Sequence, residues 1–173
     1  FALNHLSYFL FTKLLLENMS IKKEGSRIIN VASDAHFGVD LDFNDIQGTK
    51  PFNGYQNYKK TKLMNILFSY ELAERLKNKN ITVNCLHPGF VSTKFGHNNS
   101  GLKVLFLKIA QKLKAINIEE GAKTSIYLAE SPLVNNISGR YYFNKLEKKS
   151  SQESLNKDSK KKLWEITESM LKF

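Results

Sequence analysis

The chain of 173 residues contains few of several residue types, and each scarcity excludes a class of protein. Its single cysteine, Cys85, cannot form a disulfide within the chain, which fits a reducing compartment. No run reaches the roughly 18–20 apolar residues of a membrane span, and the start does not resemble a secretory signal. We therefore expect an intracellular protein, located in the cytoplasm or associated with a membrane.

Histidine is also sparse and lacks the pattern of a metal site. The four histidines have neither the spacing of metal ligands nor partner cysteines, and they are His5, His36, His87 and His97. We predict no metal ion.

Arginine is scarce although the chain is basic, with 26 lysines and arginines against 16 acidic residues and a formal net charge of +10. Arg27, Arg75 and Arg140 are the only arginines, and no aromatic residues interleave with the C-terminal lysines. Specific nucleic-acid readers rely more on arginine and on aromatic side chains. We therefore expect no specific nucleic-acid partner, and a solvated lysine-rich surface that suits contact with an anionic membrane.

Glycine is too dispersed to form a cradle for a dinucleotide. Such a site needs glycines clustered where a strand turns into a helix, so that backbone N–H groups can approach a pyrophosphate. The nine glycines nowhere form Gly-x-Gly-x-x-Gly, and the sequence has helical character from Phe1 onwards. We therefore expect the chain to lack the N-terminal part of a larger protein, including its phosphate-binding segment.

The hydrophobic pattern predicts one α/β domain, residues 1–173. Short apolar runs rich in β-branched residues alternate with longer segments of helical composition, which indicates a parallel sheet flanked by helices. The predicted strands are about 27–33, 81–86 and 139–144. The predicted helices are 1–16, 55–77, 101–116, 119–130 and 159–171. The polar segments 34–54 and 145–158 are predicted to be a long loop and a flexible connection.

A tyrosine and a lysine lie four residues apart near the start of one predicted helix, while Ser33 ends the first predicted strand. Tyr58 and Lys62 would share a helix face at this spacing. A cation beside a phenol favours the phenolate and lowers the pKa from its ordinary value of about 10. With a hydroxyl nearby, such a pair can exchange a proton with a carbonyl or alcohol oxygen.

Spacing alone does not select one pair, because three share it: Tyr55/Lys59, Tyr58/Lys62 and Tyr141/Lys145. Other segments, in order along the chain, are Asn4-His5-Leu6, Asn30-Val31-Ala32-Ser33-Asp34-Ala35-His36, Tyr58 to Phe68, Val83 to Thr93, Glu120 to Thr124, and Ser138 to Tyr142. Together these segments resemble the short-chain dehydrogenase/reductase family, and most closely its retinol-dehydrogenase-like branch. The resemblance covers the C-terminal two-thirds of such an enzyme, and it favours Tyr58/Lys62.

This resemblance implies the C-terminal part of a doubly wound, Rossmann-like parallel sheet. It also implies an oxidoreductase that interconverts an alcohol and a carbonyl on an apolar substrate such as a retinoid, with NADP or NAD as cofactor. A homodimer of the full-length protein is implied as well. The implied catalytic residues are Asn4, Ser33, Tyr58 and Lys62. The implied cofactor-binding residues are Tyr58, Lys62, Pro88, Gly89, Val91 and Thr93.

The resemblance assigns a role to each catalytic residue. Tyr58 would exchange a proton with the substrate oxygen, and Ser33 would hydrogen-bond and orient that oxygen. Lys62 would hold the nicotinamide ribose. Asn4 would kink its helix and position a water that links Lys62 to solvent.

Two alternatives remain open from the sequence. The basic and apolar helix 101–116 would cover the substrate pocket by resemblance, and its composition would also suit an anionic membrane surface. The alternative to an enzyme is a catalytically inactive remnant that acts as a dimerisation or binding module. We expect the isolated chain to show no turnover, because the predicted phosphate-binding part lies outside it.

Overall fold

The structure, a computed structural model, describes residues 1–19, 25–91 and 115–172. Its helices are a π-helical turn at Ala2–Leu6, α1 (Ser7–Met19), α2 (Gly54–Arg75), α3 (Ile118–Glu130) and α4 (Lys157–Leu171). Short 3-10 turns occur at Asp34–His36, Pro132–Val134 and Glu153–Leu155. The strands are β1 (Ser26–Val31), β2 (Ile81–Leu86), β3 (Arg140–Phe143) and β4 (Leu146–Glu147). Thr93 and nearly all of the predicted helix 101–116 lie outside the described residues.

The strands form one mostly parallel sheet in the order β1-β2-β3-β4. β1 pairs with β2 in parallel, with Ser26 opposite Ile81 and Val31 opposite Leu86. β3 runs parallel to β2, and β4 returns antiparallel to β3. The predicted α/β class with a parallel sheet is therefore confirmed. Among the described strands, β1 has a neighbour on one side only.

Helices cover both faces of the sheet. On one face, Phe9 of α1, Phe68 of α2 and Trp164 of α4 form a buried cluster that includes Ile28 of β1. On the other face, Leu128 of α3 packs in a second cluster with Leu86 and Tyr142, against Ile29 of β1. Adjacent strand residues thus point to opposite faces, as strand geometry requires. Both faces are apolar, which explains why β1 and β2 appear as continuous hydrophobic runs in the sequence.

The first predicted strand, 27–33, ends two residues too late. β1 ends at Val31, although the Ala32 N–H still donates to the Leu86 carbonyl at 2.8 Å. Ser33 instead caps the following 3-10 turn, because its side-chain oxygen accepts the Ala35 N–H. A short hydroxyl side chain competes in this way with the strand ladder.

The third predicted strand is also shorter than expected, and the range 145–158 contains regular structure. Asn144 and Lys145 adopt left-handed φ values of 48° and 65°, so the chain turns back after Phe143 and forms β4. Positive φ at both central residues is typical of a tight hairpin turn. A 3-10 turn follows at Glu153–Leu155. The flexibility of this segment stays a prediction.

Asparagine caps the start of three helices. Asn53, Asn117 and Asn156 accept a backbone N–H three residues later, at the beginning of α2, α3 and α4 respectively. Each cap satisfies one of the N–H groups that a helix start leaves without a partner. The cap at Asn53 fixes the start of α2, the helix that carries Tyr58 and Lys62.

No helix in the described part of the chain is long and apolar enough to cross a membrane.

Candidate active site

Ser33 lies at the carboxyl end of β1, where the chain leaves the sheet. Its backbone is extended, with φ −167° and ψ 151°, and its Oγ accepts the Ala35 N–H at 3.1 Å. The Ser33 side chain also forms a hydrogen bond with the hydroxyl of Tyr58. A serine hydroxyl has one hydrogen and two lone pairs, so it can serve both partners at once.

Tyr58 and Lys62 occupy the first half of α2, one turn apart and both half-buried. The Lys62 ammonium lies 5.8 Å from the centre of the Tyr58 ring. It also donates to the carbonyl of Val31, at the end of β1, at 3.1 Å. Helix α2 therefore brings the phenol and the amine against the end of the strand that carries Ser33.

The pKa of Tyr58 differs from the expectation drawn from its sequence. Burial raises this pKa above 10, and the hydrogen bond with Ser33 opposes the rise without cancelling it. Burial also lowers the pKa of Lys62. The raised pKa of Tyr58 is opposite in direction to the expectation from its lysine neighbour, because desolvation of the phenolate is the largest cause. At neutral pH Tyr58 is a protonated phenol.

Asn4 joins the site through one intermediate residue. It lies in the π-helical turn before α1, where the His5 and Leu6 N–H groups both donate to the carbonyl of Phe1. Its Nδ2 donates to Thr61 Oγ1 at 3.2 Å, and Thr61 in turn donates to the Tyr58 carbonyl at 2.7 Å. The turn carrying Asn4 is thus tied to the first half of α2. The bridging water between Asn4 and Lys62 stays a prediction.

The predicted cofactor residues Pro88, Gly89 and Val91 follow β2 directly. β1 and β2 run parallel, with Val31 opposite Leu86. The three residues after β2 therefore lie at the same edge of the sheet as Ser33. Gly89 has φ +87°, and a Cβ there would meet the side chain of Ile116 at 2.8 Å, so only glycine fits.

Val91 forms an isolated parallel bridge with Ile116, whose N–H donates to the Phe90 carbonyl at 2.9 Å. These contacts fix the backbone that leaves β2. The position of Thr93 lies outside the described residues.

The other two tyrosine–lysine pairs do not reproduce the arrangement around Ser33. Tyr55 is 68% exposed on the first turn of α2. Tyr141 is buried in β3, and its hydroxyl donates to the Asp34 carboxylate at 2.9 Å. Of these three tyrosines, Tyr58 is the one that hydrogen-bonds to Ser33.

Sequence reasoning missed a polar cluster around Asp34, the residue after Ser33. The Asp34 carboxylate accepts from Tyr141 and from Lys148, and it lies 3.7 Å from Nε2 of His87. These contacts span more than fifty positions in each case, so no local pattern could reveal them. The only available signal was a charged residue directly after a buried strand.

The chain is similar in sequence to proteins of one known family. A family model described as short chain dehydrogenase matches residues 1–102. Retinol dehydrogenase 14 of Homo sapiens is 40% identical over 174 residues, which cover 99% of this chain and 51% of that protein. Retinol dehydrogenase 12 of Mus musculus is 32% identical over 167 residues, which cover 96% and 52%. The chain spans about half the length of the curated relatives it matches.

Solved structures show the same fold. A crystal structure of an uncharacterized protein from Mycobacterium paratuberculosis superposes with a TM-score of 0.71 at 23% identity, covering 98% of this chain and 57% of that one. A short-chain dehydrogenase/reductase from Burkholderia xenovorans gives a TM-score of 0.56 at 21% identity, covering 80% and 51%.

The fold is Rossmann-like α/β, and it brings Ser33, Tyr58 and Lys62 together at one edge of the sheet. The chain belongs to the short-chain dehydrogenase family, and its sequence is similar to the retinol dehydrogenases within it. The resemblance inferred from the sequence motifs is therefore confirmed.

Proposed function

We propose that the protein containing this chain interconverts an alcohol and a carbonyl, with Tyr58 as the group that exchanges a proton with the substrate oxygen. The observation that carries the proposal is the hydrogen bond between Tyr58 and Ser33, with Lys62 one helical turn away. A reacting oxygen that displaces this bond would receive one hydrogen bond from each of the two hydroxyls. Such preorganised donors stabilise the charge that develops on a carbonyl oxygen during reduction.

The protonation state of Tyr58 favours the reduction of a carbonyl. Because burial keeps the pKa of Tyr58 above its ordinary value, the resting side chain carries its proton at neutral pH. A protonated phenol can give that proton to a carbonyl oxygen as hydride reaches the carbon. Ser33 would hold the oxygen in line, while the ammonium of Lys62 would favour the phenolate that remains.

The family implies a nicotinamide dinucleotide, and the residues present fit one. When bound, the nicotinamide supplies or accepts the hydride. Lys62 would hold the ribose hydroxyls, because its ammonium has three hydrogens and Val31 takes one. Pro88, Gly89 and Val91 would line the nicotinamide side of the site. We propose NADP, with NAD as the alternative.

We propose an apolar substrate such as a retinoid. The sequence similarity to retinol dehydrogenases supports this choice. The aromatic residues Phe37 and Phe90 lie on the segments that follow β1 and β2, and both are partly exposed. Apolar rings at this edge of the sheet suit a long hydrocarbon substrate.

The test of this function is retinaldehyde-dependent oxidation of NADPH by the full-length gene product. Tyr58→Phe should lower the rate by about 10²–10⁴-fold, which is typical of losing a general acid. Tyr55→Phe is the matched control, since Tyr55 has the same spacing to a lysine and should retain the rate. Full activity of Tyr58→Phe would contradict the assignment.

A membrane surface is the location we propose for the full-length protein, with the cytoplasm as the alternative. The support is the lysine-rich apolar sequence of residues 101–116. Co-sedimentation with anionic vesicles should fall when the four lysines of this segment are replaced by glutamine, at Lys103, Lys108, Lys112 and Lys114. Unchanged co-sedimentation would exclude this segment as the contact.

A second candidate function, a dimerisation or binding module, is favoured by one face of α1. Large apolar side chains project from it into solvent, among them Phe11, Leu14 and Leu15. Their spacing puts them on one side of the helix. Sedimentation velocity of the purified chain tests this reading: self-association that Phe11→Glu abolishes supports it, and a monomer at all concentrations contradicts it.

A further inference from the structure

Asp34 connects the turn that carries Ser33 to two other strands of the sheet. Its Oδ1 accepts from the Tyr141 hydroxyl at 2.9 Å, and its Oδ2 accepts from Lys148 Nζ at 2.6 Å. Nε2 of His87 lies 3.7 Å from the same Oδ2. One carboxylate therefore links the segments that follow β1 and β2 to β3 and to the residue after β4.

This cluster lies behind Ser33, on the side of the sheet that α2 covers. The ring of Tyr141 is buried with Ala32, Ile66 and Cys85 in the cluster beneath α2. The Asp34 carboxylate reaches into this layer to meet the Tyr141 hydroxyl. Asp34 is thus placed to support the turn, while Ser33 contacts Tyr58.

A second restraint acts on the carbonyl of Ser33. Nδ1 of the buried His36 lies 2.7 Å from this carbonyl, and its Nε2 lies 3.0 Å from the backbone nitrogen of Ser151. The Ser151 N–H can only donate, so Nε2 is the acceptor and the proton sits on Nδ1. His36 therefore donates to Ser33, and both the side chain of Asp34 and the carbonyl of Ser33 are held by the segment after β3.

The Asp34–Lys148 contact is an ion pair at neutral pH. Burial raises the pKa of Asp34, but the hydrogen bonds from Lys148 and Tyr141, with the charges of His87 and Lys148, outweigh it and hold this pKa below its ordinary value. The ammonium of Lys148 also lies over the rings of Phe37 and Phe143, at 5.7 and 5.2 Å from their centres. Cation–ring contacts of this kind hold the lysine in place.

We propose that Asp34 and Lys148 are positioning residues: their ion pair ties the Ser33 turn to the β3–β4 hairpin and holds the Ser33 hydroxyl against Tyr58. This inference rests on the proposed function only for its consequence in catalysis. The contact between Ser33 and Tyr58 can be measured without turnover.

The ion pair is partly exposed, with about a third of each side chain accessible to solvent. Pairs of this kind contribute little to the free energy of unfolding. Substitution of either partner should therefore leave the chain folded. The expected effect is on the position of one hydroxyl rather than on global stability.

The experiment uses tyrosine isotope-labelled at Cζ in the 173-residue chain, with the Tyr58 resonance assigned from Tyr58→Phe. Ser33→Ala removes the hydrogen bond and defines the full change in chemical shift. Asp34→Asn and Lys148→Met should each shift the Tyr58 resonance in the same direction. Lys148→Arg keeps the charge and should restore the wild-type position.

A double variant shows whether the effect passes through Ser33. In the Ser33→Ala background, Asp34→Asn should cause no further change in the Tyr58 resonance. Asp45→Asn is the matched control, because Asp45 caps the same loop through Thr49 and Lys50. It should leave the Tyr58 resonance at the wild-type position.

Two results would overturn the proposal. One is a Tyr58 resonance that stays at the wild-type chemical shift in both the Asp34→Asn and the Lys148→Met variants. The other is an equal shift from Asp34→Asn with or without the Ser33 hydroxyl. If Asp34→Asn fails to fold, Tyr141→Phe removes one donor to Asp34 and takes its place under the same criteria.

The proposed function can fail independently. An intact dependence of the Tyr58 resonance on Asp34, in a full-length protein without activity, would contradict the function and leave the positioning role standing. Full activity of Lys148→Met with an unshifted Tyr58 resonance would contradict only the positioning role.

Discussion

His5 and Thr167 share a buried hydrogen bond of 2.8 Å between Nε2 and Oγ1. The Thr167 hydroxyl already donates to the Leu163 carbonyl at 2.7 Å, so His5 must be the donor and carries its proton on Nε2. The π-helical turn that contains Asn4 is thereby anchored to α4. This contact ties the last helix of the chain to the first residues of the candidate site.

The buried His5 predicts that acid destabilises the fold. Burial, with a smaller contribution from the N-terminal charge, lowers the pKa of His5 from 6.5 to about 3. Well above pH 6.5 the imidazole is neutral in both the folded and the unfolded state, so His5 does not reduce the free energy of unfolding. As the pH falls from 6.5 towards 3, the unfolded chain binds a proton that the native state does not, which costs up to about 1.4 kcal/mol per pH unit.

The measurement is the free energy of unfolding in urea at pH 7 and pH 5. His5→Gln keeps an N–H donor for Thr167 but cannot titrate, so it is the matched variant. Wild type should lose about 2 kcal/mol more than His5→Gln between these pH values. Equal losses in the two proteins would show that His5 is not the titrating group, since the other histidines are common to both.

Gly121 in α3 should not tolerate a side chain. A Cβ at this position would lie 2.5 Å from Cγ2 of Val91, on the segment proposed to line the cofactor. Gly121→Ala should therefore cost about 1–3 kcal/mol in the free energy of unfolding, as overpacking usually does. Gly54→Ala is the control, because a Cβ there meets only Phe52 at 3.8 Å.

Gly54→Ala should leave the free energy of unfolding unchanged or raise it by up to about 1 kcal/mol, since alanine has a higher helix propensity than glycine. Combining Gly121→Ala with Val91→Ala should recover most of the lost stability. A fully stable Gly121→Ala single variant would mean that the contact with Val91 relaxes without cost.

The packing of α1 predicts opposite outcomes for two phenylalanines. Phe9 is fully buried, with ring centres 4.7 Å from Trp164 and 5.4 Å from Phe68, whereas Phe11 is 67% exposed. Phe9→Ala should cost about 3–5 kcal/mol. Phe11→Ala should cost less than about 0.5 kcal/mol at a concentration where the chain is monomeric. Thermal and urea unfolding compare the two, and similar losses would contradict the assigned faces of α1.

Thr61 should matter through its hydroxyl. Thr61→Val keeps the shape of the side chain but leaves the Asn4 amide without its acceptor, which should cost about 1–3 kcal/mol. Thr61→Ser keeps the hydroxyl and should cost less. Chemical-shift changes of the Asn4 side-chain amide report the contact directly. An unchanged amide resonance in Thr61→Val would show that Thr61 does not hold Asn4.

Elements with a strong local pattern were predictable from the sequence. β2 was predicted with its observed bounds, and α2 was predicted within two residues at each end. β2 is a short apolar run, and α2 is a long segment of helical composition that begins at the Asn53 cap. The three asparagine caps carry a recognisable signal, a short polar residue directly before a helix.

The parts that escaped prediction depend on distant contacts or on backbone conformation. β4 has only two residues, both exposed, and it exists because Asn144 and Lys145 accept left-handed φ values. The Asp34 cluster joins residues 107 and 114 positions apart. The raised pKa of Tyr58 follows from burial, which spacing between Tyr58 and Lys62 does not reveal.

The parallel pairing of the sheet has a consequence for synthesis on the ribosome. Contacts between β2 and the segment of β3 join residues 55 and 56 positions apart, and β1 meets β2 at a similar separation. A nascent chain grows by roughly 5–20 residues per second, so β1 waits roughly 3–11 seconds for its partner to be made. Ser26–Val31 and Ile81–Leu86 are therefore two stretches that a ribosome-associated chaperone can bind before their C-terminal partners are made.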